Sequence, residues 1–531
     1  MKMMRQVTLL SLLLLSVSWT ITCSSIQEDF KHCMSIQFSA YTKSFEIIYT
    51  PESSLYSYLL QSTVQNPRWS NATTQPLLIV APFHETEVQA AVVCSKKNDL
   101  QVRVRSGGHD YEGLSYLCQT PYIIIDLINM RSIDINVEDE TGWVQSGATL
   151  GELYYAIAKK SQVHGFPGGL CPTVGIGGHL SGGGFGTLLR KYGLAADNVL
   201  DAYLVDVNGR ILNRKAMGED LFWAIRGGGG ASFGIILSWK IKLVRVPKIL
   251  TGFTVSKTLE EGATKLVHRW QEIAPYLPRD LFIRIVIVGD GDKKTVQASF
   301  NSLFLGKTDR LIPLMNKSFP ELGLKPEDCT EMSWVESTVS FAGFPIESPL
   351  EVLLDKKQLF KSNFKAKSDF VTEAIIPINV LEGIWERFVE EEIAIMIMDP
   401  FGGKMNWISE SETPFPHRKG NLYNIQYLKK WAKDGVKESN RHVHWMRLLY
   451  KYMGPYVSNS PRAAYFNYRD LDLGANKHDN TSYLEAAGWG VKYFKGNFKR
   501  LAEVKGKVDP ANFFRSEQSI PTLPISEKHY K

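Results

Sequence analysis

Two residues stand out by what surrounds them. Cys171 lies inside "FPGGLCPTVGIGGHLSGGGFG" (166–186), and His109 follows two glycines in "VRSGGHDYEGLSY" (104–116). A thiol and an imidazole are both side chains that can act as nucleophiles. Closely spaced glycines let backbone N–H groups approach an anionic ligand and allow φ > 0. The loops therefore suggest an anionic ligand, with an isolated cysteine and histidine within them. Familiar phosphate fingerprints fail. Gly175-Ile-Gly177 leads to Leu180 where GxGxxG requires glycine, and Gly228 and Gly230 lead to Phe233. "NSLFLGKT" (301–308) lacks the first glycine of a P-loop. No HExxH or paired CxxC occurs, so a catalytic metal is not expected. From these residues alone the cofactor stays open, and tight turns account for glycine runs equally well.

The elements that must position these loops read as an α+β chain. Short apolar strands at 76–82, 122–127 and 141–148, and one running into a loop over 100–108, alternate with a helix over 85–98. Thr149 and Glu152 form a capping box before an apolar helical stripe. Asn208-Gly209 between two apolar runs predicts a hairpin, and 235–244 alternates apolar and polar residues. Beyond about residue 250 the glycine loops disappear. A helix over 259–274 and strands over 281–290 and 421–431 suit a second domain with an antiparallel sheet. A strand "AAYFNYRDLDLG" and a helix over 485–505 are expected near the C-terminus. The resulting division is a signal peptide 1–25, a first domain 26–247 with its core in 76–247, a second domain 248–462, and a C-terminal segment 463–531.

With 531 residues the chain can bury a large core, and a net charge of +6 spread along it argues against nucleic-acid binding. Lys2 and Arg5 before "VTLLSLLLLSVSW" predict a secretory leader, and no later stretch is apolar enough for a membrane span. Secretion makes the sequons Asn71, Asn316 and Asn480 candidate glycan sites on surface loops. Loss of Cys23 with the leader leaves five cysteines, an odd number. Cys33 and Cys94 are candidates for a disulfide, and Cys118 and Cys329 for buried thiols.

The motifs at 104–116 and 171–186, with "KYGLAADNVLDA" and "NYRDLDLG…VDPANFFRSEQSIP", resemble the berberine bridge enzyme-like family of plant FAD-linked oxidoreductases over nearly all of the mature chain. The resemblance implies a vanillyl-alcohol-oxidase/PCMH-type FAD domain, a substrate domain roofing the flavin, and a C-terminal segment returning to the FAD domain. It implies FAD held bicovalently through His109 and Cys171, and the disulfide Cys33–Cys94. The backbone of Arg105, Ser106, Gly107, Gly108 and Asp110 would cradle the diphosphate. Ser115, Val174, Gly175, Gly178, Gly182, Ile236 and Asn467 would complete the cofactor site. Tyr468 would act as base, its pKa lowered by Arg284, with Gln426 orienting the substrate. Phe185 and Asn424 stand where monolignol-oxidising members carry a tyrosine and a lysine, so monolignol activity is not expected. Val174 implies O₂ as acceptor and H₂O₂ as product. The expected enzyme is a secreted apoplastic oxidase of a metabolite alcohol or an oligosaccharide reducing end. An oxidative cyclase shares the same motifs, and a non-catalytic defence glycoprotein is the remaining alternative.

Overall fold

The computed structural model describes residues 26–37, 46–69, 74–356, 361–391 and 393–523. The expected leader and Asn71 lie outside them. The first sheet is built from β1 (Ile48–Tyr49), β2 (Leu78–Val80), β3 (Gln101–Arg105) and β4 (Tyr122–Asp126) in the order β1-β2-β4-β3. The last three are parallel. The residues of β4 are all buried, as a parallel strand covered on both faces requires. Helix Glu85–Lys97 packs on this sheet, and the disulfide Cys33–Cys94 joins it to the helix 26–37.

A second sheet is antiparallel. It contains β5 (Ile133–Asn136), β6 (Thr141–Gln145), β8 (Val199–Val205), β9 (Ile211–Leu212) and β10 (Ile235–Lys242), in the order β5-β6-β10-β8-β9; β7 (His164–Gly165) pairs separately with β11 (Val244–Arg245). The capping box at Thr149 and Glu152 starts helix Leu150–Lys160 as expected. The Asn208-Gly209 turn closes β8 and β9, with Gly209 at φ +74° and the Asp206 carboxylate accepting from Asn208 N–H at 2.9 Å. Strand β10 departs from simple alternation. It is central in its sheet, and Ile235–Trp239 are buried on both faces.

The largest sheet has seven antiparallel strands: β12 (Leu250–Thr258), β13 (Leu281–Asp290), β14 (Thr295–Phe304), β15 (Cys329–Met332), β16 (Asn363–Val371), β17 (Ala394–Pro400) and β18 (Tyr423–Trp431), in the order β15-β12-β14-β13-β17-β18-β16. Period-two alternation divides its residues. Ile283, Ile285, Met396, Met398, Ile425 and Tyr427 join the core with helices Ala263–Ile273, Ile378–Val389 and Val436–Met453. Arg284, Ile397, Asp399, Gln426 and Leu428, at the alternate positions, face a cavity.

The C-terminal segment corrects two expectations. Residues 463–474 form turns and a 3₁₀ helix, Leu471–Leu473, rather than a strand. Tyr465 N–H is bonded to Ser368 Oγ and Ala464 N–H to the Lys492 carbonyl, so their amides do not join a ladder. The expected helix over 485–505 is two helices, Tyr483–Phe494 and Asn497–Val508, broken where Lys495 adopts φ +44°. The second doubles back so closely that a Cβ at Gly490 would lie 2.3 Å from the Phe498 ring. The segment then lies against the first sheet. Arg103 donates to the Glu517 carboxylate at 2.9 and 3.0 Å, and buried Lys505 donates to the Ser232 carbonyl at 2.6 Å.

Asn316 and Asn480 are both exposed. Asn316 lies in the last turn of helix Thr308–Ser318 rather than in a loop. Cys118 is buried, whereas Cys329 is only half-buried.

Candidate cofactor and active site

The glycine loops, the alternate face of the large sheet and the C-terminal turns enclose a cavity of about 600 Å³. That volume falls within the range of ligand sites, roughly 300–1,000 Å³. His109 and Cys171 both open onto it and meet at one hydroxyl. His109 Nε2 lies 3.0 Å and Cys171 Sγ 3.5 Å from Thr173 Oγ1. Burial lowers the His109 pKa to about 4, so its imidazole is neutral and keeps a lone pair. Cys33 and Cys94 are paired with each other, which leaves the Cys171 thiol accessible from the cavity.

Two glycine loops touch backbone to backbone at the cavity floor. A Cβ on Gly107 would fall 2.3 Å from Gly175 N, and one on Gly175 would fall 2.1 Å from Ser106 Oγ. Only glycine permits that approach. Gly178 differs: a Cβ there meets nothing within 4 Å among the described residues, because it faces the cavity.

Ser106, Gly107, Gly108, Asp110, Ser115, Val174, Gly175, Gly178, Ile236 and Asn467 all lie on the wall, as expected of a cofactor site. Two expected positions do not. The Arg105 side chain turns into the core, where it pairs with Asp126 at 2.6 Å and donates to the Leu59 and Leu60 carbonyls, which leaves only its backbone for the diphosphate role expected of it. Gly182 backs onto Asn467, whose Oδ1 would lie 1.9 Å from an added Cβ, so its role is to admit that amide. Asn467 in turn donates to the His179 carbonyl at 3.0 Å. His179 accepts a hydrogen bond from Gly169 N–H at 3.0 Å, and burial lowers its pKa to about 4.

The opposite wall carries the polar groups. Tyr468 stacks on Tyr111 with ring centroids 5.7 Å apart and planes 5° from parallel. Gln426 Nε2 donates to Tyr111 Oη at 2.6 Å, and Arg284 pairs with Asp399 at 2.9 Å. Phe185 reaches the wall and meets Tyr468 edge-on at 6.2 Å. Asn424 does not reach it. Wholly buried, it donates to the Asp369 carbonyl at 2.9 Å.

The expected lowering of the Tyr468 pKa is not what the surroundings produce. Burial is the largest influence and raises it well above 10. Asp399 and Tyr111 add to the rise, and Arg284 opposes it without overcoming it. Asp399 escaped the sequence reading, because nothing in "MDPF" marks it as the partner of an arginine more than a hundred residues earlier. Tyr111 escaped too, although it stands two residues after His109 in the motif that drew attention to the site.

The donor set suits a flavin dinucleotide. It offers a glycine floor, an open face at Gly178, and two buried hydroxyls, Ser115 Oγ and Ser146 Oγ, with no hydrogen-bond partner among the described residues.

The comparisons with known proteins agree with this site. The family profile described as "FAD binding domain" matches residues 76–214, and the one described as "Berberine and berberine like" matches 464–521. Berberine bridge enzyme-like 22 of Arabidopsis thaliana is 55% identical over 94% of this chain and 95% of its own length. Tetrahydroberberine oxidase of Berberis wilsoniae is 54% identical over 93% and 94%. Among solved structures, Phl p 4, a grass pollen allergen with glucose dehydrogenase activity, aligns with a TM-score of 0.88 at 46% identity over 93% of this chain and all of its own. An isoleucine-to-valine variant of that allergen is a glucose oxidase, at 47% identity and the same TM-score over 93% of this chain and 99% of its own. The chain belongs to the berberine bridge enzyme-like family and is an FAD-linked oxidoreductase.

Proposed function

We propose that the protein is a secreted oxidase of a plant-metabolite alcohol or of the hemiacetal at an oligosaccharide reducing end. The observation that carries this reading is the pairing, across one cavity, of His109 and Cys171 with the Tyr468–Tyr111–Gln426 group. FAD, held covalently by His109 and Cys171, would supply a hydride acceptor that returns its electrons to O₂ and releases H₂O₂. The neutral His109 imidazole and the Cys171 thiol are the nucleophiles for those attachments. Ser106–Asp110 would hold the diphosphate through their backbone. Tyr468, in its phenolate form, would take the hydroxyl proton as hydride leaves the carbon that bears the hydroxyl. Gln426 fixes Tyr111, and Arg284 is the cation nearest in effect that favours a Tyr468 phenolate. Val174, on the wall, would leave room for O₂ at the flavin. An oxidising destination accords with the Cys33–Cys94 disulfide. Among the described residues no helix is long and apolar enough to cross a membrane.

Two measurements test the reading. Acid-denatured protein should keep its yellow colour, and His109→Ala/Cys171→Ser should release it; colour freed from the unsubstituted chain overturns the tethers. Anaerobic mixing with cinnamyl alcohol, D-glucose and cellobiose should bleach the flavin with at least one of them. Bleaching by none, together with normal colour, would refute this substrate class.

A further inference from the structure

Tyr111 and Tyr468 come from turns more than three hundred residues apart, yet they stack almost parallel. Neither turn belongs to a sheet that would fix it. What joins them is charge. Asp110, before Tyr111, accepts from Arg469, after Tyr468, at 2.7 Å. Glu112, after Tyr111, and Asp470, two beyond Tyr468, share one ammonium: Lys365 Nζ bonds Glu112 Oε1 and lies 2.8 Å from Asp470 Oδ1. Lys365, Glu112 and Asp470 are each at least 96% buried. Arg68 holds the other oxygen of Glu112 at 2.9 Å, and Lys367 the other oxygen of Asp470 at 2.6 Å. The residue before Lys365, Phe364, meets Tyr111 edge-on at 5.2 Å. Burial alone would lower the Lys365 pKa, but Glu112, Asp470 and Asp472 together raise it, so the ammonium stays charged.

Burying so many charges is a poor route to stability, because desolvation offsets most of the attraction. It is an effective way to fix geometry, since each oxygen and each N–H has one satisfied arrangement. We infer that Lys365 is a positioning residue: it locks the Tyr111 turn to the Tyr468 turn and so sets the tyrosine stack that faces the substrate. The inference rests on the role proposed above for Tyr468.

The test uses the flavin-loaded protein. Lys365→Met leaves two carboxylates facing each other and is paired with Lys365→Met/Glu112→Gln, which removes one of them and keeps an amide in its place. Crystal structures should show the rings displaced by about 1 Å or more, a shift large enough to cost two orders of magnitude in rate. A stack unchanged in the double variant overturns the inference. In anaerobic bleaching by cinnamyl alcohol, D-glucose or cellobiose, Lys365→Met should slow the limiting rate about tenfold to hundredfold with little change in half-saturation. Added to Tyr468→Phe, it should change the rate less than about twofold, because a residue that acts through Tyr468 has nothing left to position. Additive losses overturn the inference. If Tyr468→Phe alone leaves bleaching unchanged, the base assignment falls, while the crystal structures still decide whether Lys365 holds the stack.

Discussion

Gly175 and Gly178 stand three residues apart on one glycine-rich turn, and the same substitution should do opposite things at the two. Alanine at 175 would place its Cβ 2.1 Å from Ser106 Oγ, 2.3 Å from Gly107 N and 2.9 Å from Gly107 Cα. Two of those atoms are backbone, so the loops must part. A strain of about 1–3 kcal/mol or more follows, carried by the polypeptide itself. Alanine at 178 meets no protein atom within 4 Å. Gly178 lies inside helix Ile176–Ser181, where alanine is favoured over glycine by about 0.5–1 kcal/mol. The polypeptide should therefore be as stable or slightly more so. The space the new methyl enters is cavity space. If the flavin occupies it, the same 1–3 kcal/mol falls on the cofactor, which corresponds to about 5-fold to 150-fold weaker retention before attachment. The assay is the ratio of visible flavin absorbance to protein absorbance in purified protein, with the guanidinium midpoint measured on the same samples. Gly175→Ala should lower the midpoint. Gly178→Ala should keep the midpoint and lose flavin. Full flavin content with an unshifted spectrum in Gly178→Ala would refute the placement of the cofactor against this turn.

Three further outcomes follow from the same structure. His179 accepts from Gly169 N–H and has a folded pKa of about 4 against 6.5 when free, so the unfolded chain binds its proton first; stability should fall by about 3 kcal/mol as pH drops from 6.5 to 4, and His179→Asn should show a correspondingly shallower acid limb in guanidinium titrations. Cys33 and Cys94 are 61 residues apart, and removing both as serines should cost about 4 kcal/mol by the loop-entropy relation, read as a lowered guanidinium midpoint with the visible spectrum unchanged. Val174→Leu should slow reoxidation of substrate-reduced enzyme in aerated buffer and leave anaerobic reduction nearly as fast; equal slowing of both half-reactions would remove Val174 from the path of O₂.

What the sequence revealed about this site followed from how local its causes are. The glycine loops, the capping box at Thr149 and the hairpin at Asn208-Gly209 are set by neighbours within a few residues, and all three appear where the pattern put them. Strand β13 was legible as a strand, and Arg284 within it as a cation expected to act on Tyr468. What Arg284 does was not, because its partner Asp399 arrives through the pairing of β13 with β17. The segment 463–474 misled for a related reason. Its three closely set aromatics, Tyr465, Phe466 and Tyr468, suit a strand, but the amides at 464 and 465 are claimed by Lys492 and Ser368 from other parts of the chain. Arg105 and Gly182 belong to motifs whose neighbours reach the cavity, yet motif membership does not say which way a side chain turns. Asp126 draws Arg105 inward, and Asn467 fills the space that Gly182 leaves.

The Tyr468 phenol shows how those two levels combine. A cation beside a tyrosine favours the phenolate, and the sequence supplies the cation. The fold then removes water from the ring and sets Asp399 against the same guanidinium, so the net effect on Tyr468 is upward. A phenol held protonated in this way cannot store a phenolate between turnovers. Only the phenolate can take the substrate's proton, so the reaction runs through the small fraction of molecules whose Tyr468 has already released its own proton to solvent. Arg284 enlarges that fraction, while burial and Asp399 shrink it. The limiting rate of anaerobic flavin bleaching should therefore rise about tenfold per pH unit across the neutral and mildly alkaline range, without a plateau. A rate that levels off near neutral pH would place a preformed phenolate at Tyr468 and refute the upward effect of burial.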